Sequence, residues 1–210
     1  MKKILWLVLW MPCLYLHGQE NATLSKLEKT YKGFMTSWQS GNGEKALNYL
    51  DNNSTKFFEL MLNDLWYADS VNIEKLPIAE KHCILISRHL LPEEKLISFN
   101  AHSFAVYVLG EIGIGSYVQE GYTLGYLRTE KDKAFASLMF QGHPLDPEFE
   151  FSQEKGRWKI SLMPFMMDTE SRIPARFYKG STSDKGFISF LLESYSDKPI
   201  SPDIWKPVKI

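Results

Sequence analysis

Apolar residues in the first half of the chain recur with a helical period. Leu24, Leu27, Tyr31, Phe34, Met35 and Trp38 follow one another at spacings of three and four, so a helix over about 23–39 carries all six on one stripe. Ser40, Gly41, Asn42 and Gly43 end it, because glycine and asparagine enter left-handed backbone cheaply. A short helix over 44–50 is expected next. Residues 55–67 are apolar on nearly every side, the pattern of a helix buried between other layers. Pro77 can open a further helix, on which Ile78, His82, Leu85 and His89 share a face. After Pro92, the residues Leu96, Phe99, Phe104, Tyr107 and Val108 predict one more helix, ending at Gly110 or Gly113.

The period then changes to two. Tyr122, Leu124, Tyr126 and Arg128 alternate with Thr123, Gly125, Leu127 and Thr129, which predicts a strand with the first set on one face. The polar run 130–133 is a hairpin turn into a strand over 134–140. The stretch 142–147, with Gly142, Pro144 and Pro147, reads as a longer connection. A third strand begins at Phe149, and Lys155-Gly156 turns it into a fourth that carries Trp158, Ile160 and Leu162. An edge strand over 175–178 and a short helix capped by Thr182-Ser183-Asp184, with Phe187, Phe190 and Leu191, complete the pattern. The proline-containing end is expected to lie extended.

The fold class expected from this order is α+β, with N-terminal helices packed on a C-terminal antiparallel sheet. The helical half covers about 23–113, the sheet half about 117–180, and a helix and tail cover 182–210. Because no polar linker separates the halves, residues 19–210 are read as a single domain. Helices followed by a meander that ends in Phe151-Ser152-Gln153-Glu154-Lys155-Gly156-Arg157-Trp158-Lys159-Ile160 resemble the nuclear-transport-factor-2-like (NTF2-like) superfamily. The resemblance spans about 23–165 and implies a sheet curled around helices into a cone. Residues 166–210 have no counterpart in that pattern. That superfamily includes isomerases, dehydratases and non-catalytic binding modules, so it implies no single activity.

The first eighteen residues read differently from the rest. Lys2 and Lys3 precede the uncharged apolar run 4–16, which is shorter than the ~20 residues a membrane span requires and the right length for a secretory signal. Gly18 is the small residue at its end, so cleavage is expected between Gly18 and Gln19, with export to the periplasm or beyond the cell. Acylation at Cys13 is disfavoured by the bulk of Trp10, Met11 and Pro12 just upstream.

Removing Lys2 and Lys3 from 24 basic residues set against 25 acidic ones leaves a weakly acidic mature chain. Lys and Arg are scattered along it, so neither nucleic acid nor a membrane surface is an expected partner after cleavage. A small molecule or a partner protein is. Cys83 alone remains of the two cysteines, excluding an intramolecular disulfide, and its apolar setting predicts an inert thiol.

Candidate chemistry is sparse. His82 and His89 are seven apart, about 10 Å along a helix, which is too far to share one metal, and no metal site or cofactor is implied. Gly110, Gly113 and Gly115 do not match a dinucleotide loop, and no nucleophile elbow occurs. The candidate ligand-facing residues are Tyr122, Tyr126 and Arg128 on the first strand, with His102 and Glu111 flanking Tyr107 on the preceding helix. Phenol hydroxyls and a guanidinium grip a carboxylate or a planar ligand. The same pattern arises where the tyrosines pack under the helices with their hydroxyls at the rim, and that reading is preferred. Two functions fit: a non-catalytic ligand-binding or interaction module, or a cofactor-independent isomerase or hydrolase acting in the concavity between helices and sheet. In the second, His102 or Glu111 is the base and Tyr122 or Tyr126 donates to a developing oxyanion.

Overall fold

The computed structural model describes residues 5–112, 122–167 and 184–209, and the side chains of 5–21, Tyr122 and Tyr126 are among those outside that description. The fold is α+β, with helices first and an antiparallel sheet after them.

Helix α1 (Leu5–Gln39) buries Leu27, Tyr31, Phe34 and Met35 along the predicted stripe, with Leu24 and Trp38 half-buried at its ends. It reaches back past the expected start near residue 23 and includes Pro12. The expected cleavage bond lies within it. Gly41, at φ 70°, ends the helix. Helix α2 (Gly43–Leu47) follows, with the Asn42 side chain accepting from the Lys45 amide at 3.0 Å.

Helix α3 (Asn52–Tyr67) starts at Asp51, whose carboxylate accepts from the Ser54 amide at 2.8 Å and the Ser54 hydroxyl at 2.6 Å. The same hydroxyl accepts from the Leu162 amide at 2.8 Å, tying the helix start to the end of the sheet. Phe57, Phe58, Met61, Leu62 and Leu65 are buried, yet Leu60 is 65% and Tyr67 50% exposed. The helix is therefore covered on one side and not all round, as its composition had implied.

The short helix α4 (Ser70–Ile73) leads to α5 (Ile78–Leu90), for which Pro77 is the cap residue. The single helix expected after Pro92 is two, α6 (Glu93–Ser98) and α7 (Ala101–Gly110). Asn100 divides them: its backbone is extended, and its side chain and that of Ser103 form a reciprocal cap that satisfies two amide donors.

Strands β1 (Tyr122–Glu130), β2 (Lys133–Phe140), β3 (His143–Glu154) and β4 (Arg157–Ser161) form a meander in the order β1-β2-β3-β4. The connection expected over 142–147 is strand. Gln141 and Gly142 both adopt positive φ and make a two-residue turn, so His143 pairs directly with Phe140. The register slips between this point and Phe149, and Pro147 falls within the slip, where a missing N–H costs no ladder bond.

Helix α1 lies against the sheet, with Tyr31 edge-on to Phe149 at 5.1 Å and the buried Phe151 and Ile160 beneath it. Helix α8 (Met163–Met167) follows β4, and α9 (Asp184–Tyr195) packs on α5. The end, expected to be extended throughout, contains a turn of 3-10 helix at Pro202–Trp205 capped by Ser201. The expected edge strand over 175–178 lies outside the described residues.

Candidate functional site

Alternation along β1 does not run through unbroken. The register shifts between Gly125 and Leu127, a bulge that inserts one extra residue and exchanges the faces. Leu124 is accordingly buried and Leu127 packs on the core, while Arg128, read as sharing a face with Leu124, is exposed. Its guanidinium stacks 4.1 Å from the Phe135 ring centroid and pairs with Glu130 and, at 3.4 Å, Glu148. Arg128 thus belongs to a solvated charge ladder on the outer face, which Lys133 and Glu150 extend. The side chains of Tyr122 and Tyr126 lie outside the described residues.

His102 opens the first turn of α7 on the surface, its Nε2 3.0 Å from Glu44 Oε2. Glu111 caps the other end of α7, also exposed. Nine positions of helix, about 13.5 Å at 1.5 Å per residue, separate these two, so they stand at opposite ends of α7.

His82, His89, Cys83 and Glu80 lie partly or fully buried within the helical half. The His82 ring meets Tyr195 edge-on at 5.7 Å, its Nε2 is enclosed without a partner, and burial depresses its pKa to about 4. His89 also keeps an enclosed, unpartnered Nε2. Cys83 is fully buried, and burial, aided by Glu80, pushes its thiol up to about 12. Glu80 is raised to about 7 by burial and by the adjoining Asp64 carboxyl. Among the described residues, no group of three or more His, Cys, Asp or Glu could hold a metal ion, and no helix is long and apolar enough to cross a membrane.

A different site forms where α1, α2 and the β3–β4 hairpin converge. Tyr49 follows α2, and the Ile160 amide donates to its carbonyl at 2.8 Å. The Asp51 amide donates in turn to the Ile160 carbonyl at 2.9 Å, so the segment after α2 lies beside β4 as a parallel bridge. Lys155 and Gly156, both at positive φ, form the tight turn that aims the hairpin tip at α1. Between these elements runs a groove of about 590 Å³.

Its charges come from three separate stretches of chain. Lys26 and Lys29 stand beside the buried Leu27 on the polar flank of α1, Lys45 comes from α2, and Arg157 and Lys159 alternate along β4. Tyr49 and Trp158, both half-buried, supply its aromatic walls. Lys159 Nζ donates to the Asn48 carbonyl. Among the described residues, no carboxylate lines the groove and none forms an ion pair with any of the five cations. Nearby carboxylates have other partners: Glu28 pairs with Lys32, Glu44 with His102, and Glu154 accepts from the Asn52 amide at 2.8 Å.

Like charges gathered without counter-charges repel one another, so this arrangement favours an anion that neutralises them. The cations look scattered in the sequence because α1 and β4 are more than a hundred residues apart. Only the docking of α1 along β4 assembles them, and the regular Lys26/Lys29 and Arg157/Lys159 spacings are the sole local trace. In comparisons with protein-family models, curated proteins and solved structures, nothing matches this chain.

Proposed function

We propose that the chain is an exported, non-catalytic binding module that holds an anionic ligand in the groove between α1, α2 and the β3–β4 hairpin. The observation that carries this reading is the convergence of Lys26, Lys29, Lys45, Arg157 and Lys159 on one groove with no acidic residue among the described residues of its lining. The groove's volume falls within the roughly 300–1,000 Å³ common for small-molecule sites. Export is supported by Lys2, Lys3, the apolar run 4–16 and Gly18. A non-catalytic role is supported by the surface positions of His102 and Glu111 at opposite ends of α7 and of Arg128 in the outer charge ladder. The order of helices and meander supports an NTF2-like scaffold.

Calorimetric titration with tripolyphosphate, at low and at physiological salt, tests this. Binding is expected at low salt and should weaken as salt screens the exposed cations. The double variant Lys29→Glu/Lys45→Glu, at two exposed positions, should abolish it while leaving the urea midpoint nearly unchanged. No heat at low salt, or undiminished affinity in the double variant, overturns the proposal.

A further inference from the structure

Resting on that reading, we infer that the ligand is an acidic saccharide, a sugar ring bearing carboxylate or a comparable anionic group. Charge alone does not separate a sugar acid from inorganic phosphate or a nucleic-acid backbone. The neutral groups in the groove do. Lysine and arginine only donate hydrogen bonds, so a groove meant for phosphate oxygens has no need of acceptors. This one has them. One N–H of the Asn48 side-chain amide donates to the Glu44 carbonyl at 3.1 Å, which sets the amide's orientation and presents its Oδ1 as an acceptor. Thr30 Oγ1 donates to the Lys26 carbonyl at 3.1 Å and keeps its lone pairs, and the exposed Gln153 amide offers another oxygen. These acceptors match hydroxyl hydrogens, which sugars carry on nearly every carbon and tripolyphosphate or DNA backbones lack.

The aromatic wall points the same way. Trp158 lies on β4 between Arg157 and Lys159, with one side packed on the core. The negative π face of an indole attracts the weakly positive C–H hydrogens on one face of a pyranose ring. A ring laid there brings its acid group within reach of the flanking cations and its hydroxyls toward Asn48 and Gln153. Single-stranded nucleic acid also combines stacking with cations, but it is drawn by an extended basic field, and this chain's formal net charge is -1.

The test is a titration of the full-length exported protein with tetragalacturonate, tripolyphosphate, neutral maltotetraose and a deoxythymidine dodecamer, read by calorimetry and by the Trp158 indole N–H resonance. Expected is tightest binding to tetragalacturonate, with a shift of that resonance, and weaker binding to tripolyphosphate. Trp158→Leu should lower the uronide affinity about tenfold, equivalent to about 1.4 kcal/mol, with tripolyphosphate affinity unchanged, and Trp158→Phe should restore most of it. Because Trp158 packs on the core, unchanged tripolyphosphate affinity also reports that the variant is folded. Equal or tighter binding of tripolyphosphate or the dodecamer, with Trp158→Leu indifferent, overturns the saccharide while leaving an anion site intact. Failure of every anion overturns both readings.

Discussion

The Tyr49 hydroxyl occupies the space a side chain on Gly33 would need: a Cβ there would lie 2.4 Å from it. Gly33 sits in the middle of α1, where glycine costs about 1 kcal/mol relative to alanine, so its presence is explained by the phenol's approach and not by helix formation. Gly33→Ala should therefore leave the protein folded, because the ring can swing away, but should push Tyr49 into the groove it lines. Affinity for tripolyphosphate should fall several-fold, with a melting temperature close to that of the parent. Parental affinity in Gly33→Ala would mean that Tyr49 is not part of the site.

The stripe on α1 makes a second expectation. Phe34 is fully buried and tilted against Trp38 at 5.2 Å, whereas Lys32, on the far side of the helix, is 72% exposed and paired only with Glu28. Phe34→Ala should cost about 3–5 kcal/mol, a large share of the ~5–15 kcal/mol that holds a domain together. Lys32→Ala should cost little, since an exposed pair one turn apart contributes about 0.5 kcal/mol or less. Urea denaturation of the two variants measures the contrast, and equal losses would refute the orientation of α1.

That orientation was legible in the sequence because a helix stripe is a local signal: six apolar residues at spacings of three and four admit one buried face. The strands of the meander were legible for the same reason. What escaped were features made by geometry between elements. One bulge at Gly125/Leu127 reverses a face, so Arg128 lies outside although Leu124 lies inside. The Asn100 cap splits a helix that apolar spacing alone would continue. Arg157 and Lys159 join Lys26 and Lys29 only when β4 docks beside α1, and no pattern within either segment announces the other.

The dependence of stability on pH should show two opposing contributions. Burial and the adjoining Asp64 raise Glu80 from 4.5 to about 7, and Arg88 stands beside the same pair. The folded state therefore holds that proton more tightly, and the stabilisation, complete below about 4.5, is lost as pH rises through 7. His82 is depressed from 6.5 to about 4, so its contribution is complete above 6.5 and is lost as pH falls toward 4. Between these limits the slopes cancel in part. Glu80→Gln should make stability rise more steeply from acid to neutral pH, and His82→Phe, which keeps a ring against Tyr195, should make it fall. Parallel profiles for both variants in urea melts across this range would contradict the assignment.

Among the described residues, one buried side chain, Arg88, gathers backbone carbonyls from two parts of the chain. Its guanidinium is 8% exposed and donates to four backbone carbonyls: Leu65 at 2.8 Å, Ala68 at 2.9 Å, Asp64 at 3.1 Å and Ile204 at 3.0 Å. The carbonyls of Leu65 and Ala68 lie at the end of α3, Asp64 there also accepts from the Ala68 amide at 3.0 Å, and Ile204 lies in the 3-10 turn near the C-terminus, so one side chain caps a helix and anchors the tail. Burial lowers its pKa to about 10, still far enough above neutral for the charge to persist. Arg88→Ala takes the guanidinium donor from the carbonyls of Leu65, Ala68 and Ile204 and leaves the Asp64–Glu80 pair without its cation. A loss of about 3–5 kcal/mol is expected, together with new proteolytic cleavage between Tyr195 and Trp205. Arg88→Lys keeps the charge but cannot span four acceptors in one plane, so it should restore only a minor part of the stability and leave the tail open to protease. Full rescue by lysine would show that charge near Asp64, and not the planar fork on the carbonyls, is what holds the tail in place.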